Sequence, residues 1–331
     1  MRQVNLGIIG LGNWPREAYV PNLKRLPQAK VIAVAARTEQ TRAYAREQFG
    51  NIATYADYAE LLGDSQVEAV MIAVPNRLHA EVVTAAAQSG KHLFFEPPIG
   101  LNEEQVSSTL AALEATDAIV QIDHEIRYAP VMGELQRRLA EGIIGQPLMA
   151  RARLWVDWGF GGCDWTEDVE SQGFFLWLGC WYLDMLDCIF ARAPVRADVV
   201  GGQAMNGKLI DHGWAILQYP QGCSGAIEFS LIACTGREVS LHVLGTAGEM
   251  FAEAWDGSLR WRTGEAWQET VVPCRQPIHG FAGMYESLAG FVRAVAEGTP
   301  VSANLDVVRR VHKAALACSK AEAQGRTIAI Q

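Results

Sequence analysis

Two rhythms of apolar and polar residues alternate along the first third of the chain. Short, almost unbroken apolar runs cover Val4–Gly10, Lys30–Ala36, Glu68–Val74, His92–Glu96 and Ala118–Asp123. Between them lie amphipathic stretches with apolar residues three and four apart, at Arg16–Leu26, Glu39–Phe49, Asp57–Leu62, Leu78–Ser89 and Asn102–Ala115. Gly50, Gly63 and Gly90 stand just past the ends of these stretches, where a left-handed residue closes a helix. Strands that are apolar throughout, rather than at every second residue, are buried on both faces. The pattern therefore predicts an α/β fold with a doubly wound parallel sheet flanked by helices.

After Asp123 the rhythm changes. A helix over Ala129–Glu141 precedes a long, loosely alternating strand, Pro147–Trp158. Further strand-like runs at Val195–Gln203, Gly213–Tyr219, Gly225–Ile232, Glu238–Leu244, Glu249–Ala254 and Gln268–Val272 follow one another with short glycine or proline turns, the mark of an antiparallel sheet. Two closing helices, Gly280–Glu297 and Leu305–Gln324, complete the pattern. Length agrees with two domains, divided here as residues 1–124 and 125–331. The loop from Asp157 to Trp165 carries three glycines beside two tryptophans, and reads either as a flap or as an irregular crossover.

Composition narrows the function classes. The net charge of −9 with no basic run argues against nucleic acid or an anionic membrane as a partner. The seven cysteines are dispersed, with no C-x-x-C pair, so neither zinc nor a disulfide framework is expected. Reduced thiols in a cytoplasmic protein fit better. The chain runs straight into a strand and its apolar helices are interrupted by acids, so neither a signal peptide nor a membrane span is expected.

The chemistry begins at the first strand end. Gly10-Leu11-Gly12-Asn13-Trp14-Pro15 matches a turn in which Gly10 bends the chain tightly and Gly12 lets backbone approach a pyrophosphate at a helix start. The usual third glycine is replaced by Pro15, which a first helical turn tolerates. At the second strand end, an acid would select NAD by binding its ribose hydroxyl; here Arg37 and Thr38 stand instead, with Arg42 further along. That set favours the 2′-phosphate of NADP, with NAD as the alternative. Two more turns follow strands: Pro75-Asn76-Arg77-Leu78-His79 and Glu96-Pro97-Pro98.

The glycine turn, the Pro-Asn-x-x-His turn, the Gly90-Lys91-His92 approach and the Glu-x-Pro turn together resemble the glucose-fructose oxidoreductase/inositol dehydrogenase/MocA family. The resemblance implies an N-terminal Rossmann domain, a C-terminal α/β domain with a large, mostly antiparallel sheet, a small-molecule substrate and a homodimer or homotetramer. It also implies a site, with Asn13, Trp14, Pro75, Asn76, His79, Glu96 and Pro97 on the cofactor.

Family chemistry rests on a Glu-Lys-Pro lysine and on an Asp and a His four residues apart on one helix face. This chain departs at all three: Pro97 replaces the lysine, and Trp177 and Trp181 occupy the helix positions within Gly173–Asp184. Tryptophan offers an apolar face and one N–H but no base. A polyol would leave hydroxyls unpaired there, whereas a flat, conjugated molecule would stack. Trp177 and Trp181 read equally well as core packing. Asp184, on the same expected face, is either a proton donor with a raised pKa or a structural acceptor. Tyr182 and His124 are the other acid candidates, and Arg127 is a candidate to hold a substrate anion.

The leading expectation is an NADPH-dependent reductase of a conjugated C=C or C=N acceptor. Bacterial biliverdin reductase is similar in lacking the lysine, although an arginine of that enzyme has no counterpart near Tyr182. The alternatives are a cofactor-binding sensor without turnover, and a sugar or polyol dehydrogenase with relocated residues.

Overall fold

A computed structural model describes residues 2–157, 173–204, 209–234, 236–274 and 282–330. These fall into two compact units, the first comprising residues up to His124 together with Met284–Val308, and the second the remainder. The loop from Trp158 to Trp165 lies outside the described residues.

The first unit is a parallel sheet of β1 (Val4–Ile9), β2 (Ala29–Ala35), β3 (Ala53–Tyr55), β4 (Ala69–Ile72), β5 (His92–Phe95) and β6 (Val120–Ile122), in the order β3-β2-β1-β4-β5-β6. The order reverses beside β1, so a crevice opens between the carboxyl ends of β1 and β4, where open α/β sheets bind ligands. Helices α1 (Asn13–Leu23), α2 (Glu39–Phe49), α3 (Tyr58–Gly63), α4 (His79–Gln88) and α5 (Glu103–Glu114) alternate with the strands. β4 is buried at all four positions, as its unbroken apolar run predicts. Thr38 caps α2 by accepting the Thr41 N–H, and Gly50 ends it at φ +81°.

Three expectations need correction. Helix α1 starts at Asn13 rather than Arg16, placing Pro15 third in the first turn, where its missing N–H has no intrahelical partner to lose. Gly63 is the last residue of α3 and not a left-handed cap; the positive-φ glycines here are Gly50 and Gly90. The short strand β3 escaped notice because three residues carry no readable period.

The second unit opens with α6 (Pro130–Ala140) and β7 (Pro147–Trp155). After α7 (Gly179–Phe190) come β8 (Arg196–Gly202), β9 (His212–Gln218), β10 (Ser224–Ser230), β11 (Glu238–Gly245), β12 (Glu249–Glu253), β13 (Ser258–Arg262) and β14 (Gln268–Val271). Of the two last helices, α8 (Met284–Glu297) belongs to the first unit and α9 (Leu305–Gln324) to the second from Arg309 onward, and β15 (Ile328–Ala329) is the last regular element among the described residues. Helix α8 returns to the first unit, where Phe291 packs on Phe94 with ring centroids 5.5 Å apart.

Among the described residues the second sheet runs β14-β13-β12-β11-β7-β10-β9-β8-β15. Its neighbours are antiparallel except for β7 and β10, which are parallel. The short-turn reading could not anticipate that exception, since these strands are separated by α7, β8 and β9. Alternation is clear along the sheet: Val239, Leu241 and Val243 of β11 are buried, as are Ala215 and Leu217 of β9. Trp214, Ile216, Met149 and Leu244 are exposed at 40%, 47%, 54% and 44%. No described helix is long and apolar enough to cross a membrane.

Candidate functional site

Within the first unit, the strand ends build the candidate site. Gly10 sits at φ +87°, and a Cβ there would collide with the carbonyl oxygen of Ala73. Only glycine fits so close to the neighbouring strand end. Nothing lies within 4 Å of where a Gly12 Cβ would stand, so backbone is open to a ligand at this point. Gly12 is also the N-cap of α1, and no side chain caps that helix start. An open approach over an uncapped helix N-terminus, with Asn13 and Trp14 as its first two residues, fits a dinucleotide pyrophosphate.

At the end of β2 the three expected residues have different fates. Arg42 is occupied: one terminal nitrogen donates to the carbonyls of Ala36 (2.7 Å) and Arg37 (3.0 Å), and its Nε donates to Glu39 (3.0 Å). Thr38 caps α2 and donates its hydroxyl to Thr41 Oγ1 at 2.9 Å. Among the described residues nothing binds the exposed guanidinium of Arg37. Sequence reasoning missed Arg16 here. Its Nε donates to Leu11 O (3.0 Å), a terminal nitrogen donates to Thr41 Oγ1 (3.2 Å), and its guanidinium lies 4.5 Å from the Tyr44 ring centre. It braces the glycine turn against α2. The signal was present, because an arginine four residues past Gly12 sits one turn into α1 and within reach of the next helix.

Beyond β4 a single 3₁₀ turn, Asn76–Leu78, follows the exposed Pro75. His79 is buried, with Nε2 2.6 Å from Val74 O and Nδ1 2.8 Å from Pro98 O. It thereby ties the turn after β4 to the turn after β5. Burial pulls its pKa down while the carbonyls around it pull the other way. Pro97 and Pro98 are buried and joined by a cis peptide bond.

Glu96 is 7% exposed, and its carboxylate accepts from the Trp14 indole (2.6 Å) and from the Tyr19 hydroxyl. Asp123, which follows Ile122 of β6 beside Phe95 of β5, is fully buried. Burial pushes Glu96 up to about 7, against the lowering effect of those partners. Asp123 Oδ1 accepts the Ser287 hydroxyl at 3.0 Å. His124, the next residue, is fully buried. Tyr19 was not anticipated, since nothing in an otherwise apolar helix face signals that its hydroxyl meets Glu96.

In the second unit the expected single helix from Gly173 to Asp184 is interrupted. Residues 173–176 are helical, 177–178 form a turn, and α7 begins at Gly179. The N–H groups of Trp177, Cys180 and Trp181 donate three residues back rather than four. Trp177 therefore precedes α7, and the common face expected for Trp177, Trp181 and Asp184 is not one unbroken α-helical face. Trp177 is buried at 7% exposure, and the Trp181 indole donates to the Glu125 carboxylate.

Asp184 is fully buried and takes a fork from Arg127, with Nε at 3.0 Å from both its oxygens and a terminal nitrogen at 2.6 Å. The same guanidinium reaches Asp187 at 2.9 Å, and Arg310 from α9 grips Asp187 with bonds of 2.6 and 2.9 Å. Burial opposes the charge on Arg127, but Asp184 and Asp187 overcome it and hold the guanidinium well above its ordinary pKa. Arg310 was invisible to sequence reasoning because it lies 123 residues from Asp187. Tyr182 is buried, and burial together with the Glu125 charge pushes its phenol well up, so it holds its proton firmly. Among the described residues no group of His, Cys, Asp and Glu is arranged to hold a metal.

Comparison with known proteins bears on both units. Residues 4–124 match the model of the GFO/IDH/MocA oxidoreductase family, NAD-binding Rossmann fold, and residues 132–251 match the GFO/IDH/MocA C-terminal domain. Myo-inositol 2-dehydrogenase of Thermotoga maritima is 27% identical over 258 residues, spanning 76% of this chain and 75% of its own length. Trans-1,2-dihydrobenzene-1,2-diol dehydrogenase of Mus musculus is 29% identical over 230 residues, spanning 68% of each chain. Among solved structures, a levoglucosan dehydrogenase in complex with NADH and levoglucosan superposes with a TM-score of 0.88 at 18% identity, covering 99% of this chain and all of the other.

Proposed function

The chain belongs to the GFO/IDH/MocA oxidoreductase family, and from that premise we propose that it is an NADP-dependent reductase of a flat, conjugated C=C or C=N acceptor. The observation that carries this reading is Pro97, buried in the turn where the family pattern has its lysine. Proline has neither a proton to give nor a charge to steady an alkoxide. Trp181 stands where a histidine would, with its indole N–H already given to Glu125. The π face of a tryptophan suits a ring better than an open polyol. The mouse relative offers a parallel, since its name describes a diol on an unsaturated ring.

NADP, rather than NAD, is supported by the unengaged guanidinium of Arg37 beside Thr38. A bound nicotinamide cofactor supplies the hydride. The chain's own part is to seat the pyrophosphate over Gly12, hold the adenosine end with Arg37, and keep water from the reacting atoms with buried side chains around Pro97. The free thiols of Cys180, Cys223 and Cys318 suit the reducing cytoplasm. We assign a homodimer or homotetramer to the uncovered sheet face bearing Trp214, Ile216, Met149 and Leu244.

NADPH consumption by a panel of enones and imines, followed by absorbance, tests the proposal. Turnover of at least one conjugated class is expected. Reduction of NADP⁺ by inositols or anhydrosugars alone would instead support the second reading, a polyol or sugar dehydrogenase, which the inositol dehydrogenase among the relatives favours. Arg37→Ala is expected to weaken NADPH binding about tenfold or more and NADH binding little, as titrated by fluorescence. Equal losses would remove the case for NADP.

A further inference from the structure

We propose that Arg16 is a residue through which this chain prefers the 2′-phosphorylated dinucleotide, because it links the hydroxyl that meets the 2′-phosphate to the glycine turn that seats the pyrophosphate. The inference rests on the NADP reading above and deepens it by adding a positioning residue to the cofactor site.

Arg16 is the fourth residue of α1, one turn past Gly12, and is half-buried. Its side chain spans two segments. Nε donates to Leu11 O at 3.0 Å inside the glycine turn, and a terminal nitrogen donates to Thr41 Oγ1 at 3.2 Å on α2. The Tyr44 ring, 4.5 Å from the guanidinium, steadies its plane. All three partners are neutral. Among the described residues no carboxylate pairs with Arg16, whereas Arg42 and Arg46 of α2 both close on Glu39. A half-buried guanidinium without a counter-charge leaves a fixed cation over for an anion that folding does not supply. Arg37, exposed beside Thr38, is the second cation of this kind.

Thr41 Oγ1 joins the two halves. Thr38, the N-cap of α2, donates its hydroxyl to Thr41 Oγ1 at 2.9 Å, and its own oxygen accepts the Thr41 N–H at 3.2 Å. The Thr41 oxygen therefore accepts twice, from Thr38 and from Arg16, which fills both of its lone pairs. A phosphate dianion offers acceptors only, so a 2′-phosphate oxygen at Thr38 takes the Thr38 hydroxyl hydrogen for itself. Thr41 then reverses and donates its own hydroxyl hydrogen to Thr38 Oγ1, with Arg16 as the remaining donor to Thr41. The guanidinium holds that reversed arrangement and keeps a positive charge two hydrogen bonds from Thr38. An unphosphorylated ribose carries no charge and does not force the reversal, so it draws nothing from Arg16 by this route.

At its other end Arg16 serves both cofactors alike. The Leu11–Gly12 peptide is planar and trans, so fixing the Leu11 oxygen also fixes the opposed Gly12 N–H. That N–H is a donor for the pyrophosphate at a point no side chain obstructs. One arginine thus gives a common grip on the pyrophosphate and a selective one on the 2′-phosphate.

Isothermal titration of the full chain with NADPH and with NADH gives two dissociation constants, and their ratio is the readout. Arg16→Gln is expected to weaken both cofactors and to lower the preference for NADPH at least about fivefold. Thr41→Val deletes only the joining hydroxyl, and is expected to lower the preference by about the same factor while NADH binding stays within about twofold. Thr41→Ser keeps the hydroxyl and is expected to hold the preference within about twofold of wild type. In the Arg16→Gln/Thr41→Val double variant the preference falls no further than in Arg16→Gln, because both substitutions cut one link. A merely structural role for Arg16 weakens the two cofactors in equal proportion. That outcome, a Thr41→Val ratio equal to that of wild type, a Thr41→Ser ratio as low as that of Thr41→Val, or additive losses in the double variant would each overturn the proposal and leave the NADP reading intact. Should circular dichroism show Arg16→Gln unfolded, the two Thr41 variants decide alone. A wild type without preference for NADPH overturns the NADP reading and this one together.

Discussion

Glu96 and Asp184 are both buried acids, and they meet different neighbours. Asp184 receives a forked guanidinium from Arg127, so the ionised form is the satisfied one. Glu96 receives the neutral donors Trp14 and Tyr19, so burial dominates and its pKa rises. For Glu96 the folded state binds protons more tightly than the unfolded chain. Its contribution to stability is therefore present at low pH and lost as pH climbs from about 4.5 to about 7. Glu96→Gln is expected to flatten that part of a stability-against-pH curve measured by urea unfolding; an unchanged slope would contradict the assignment. Asp184→Asn is expected to cost about 3 kcal/mol in the same measurement, at the low end for a broken buried pair because Asp187 still engages Arg127. An acid in an apolar stretch was visible at both positions from the sequence. Which partner each meets was not, because Arg127 lies 57 residues from Asp184 and Tyr19 lies 77 residues from Glu96.

At the scale of elements, local chemistry was legible wherever a helix end is made by its own residues. Thr38 and Gly50 bracket α2 where the sequence places them, and Thr38→Ala is expected to lower stability by about 1 kcal/mol in thermal denaturation. Gly10 is a different case. Its positive φ follows from the turn, but the collision awaiting a Cβ comes from Ala73 on another strand. Gly10→Ala is therefore expected to cost about 2 kcal/mol or more, and to weaken binding of either nicotinamide cofactor by distorting the phosphate turn. The stretch around Trp177 and Trp181 misled the helical reading for a related reason. Its apolar residues are continuous, so periodicity places no boundary in it, and the break at residues 177–178 leaves no mark in composition.

For the whole molecule, the large sheet carries the clearest consequence. Its residues alternate between a buried face and one where Met149, Trp214, Ile216 and Leu244 stand exposed. Apolar residues gathered on one sheet face commonly mark an interface. With the homo-oligomer proposed above, Trp214→Glu is expected to shift sedimentation velocity toward the monomer while leaving the circular dichroism spectrum unchanged. A wild type that sediments as a monomer would defeat that assignment. The return of α8 to the first unit is likewise a property of the whole chain. Phe291 and Leu288 are buried in a core with Leu6, Ile8 and Phe94, more than 190 residues away in sequence.

The sequence alone determined the two rhythms, the parallel first sheet, the glycine turn, the caps of α2 at Thr38 and Gly50, and the family. Each of these is written in residues close enough along the chain for backbone geometry, capping and periodicity to couple them. Only the tertiary structure decided which buried acid is paired with a guanidinium and which with an indole and a phenol, that β7 and β10 run parallel, and that Arg16 braces the glycine turn. Those outcomes depend on burial and on charges brought together by folding from distant positions, and no local pattern encodes the distance at which two side chains will meet.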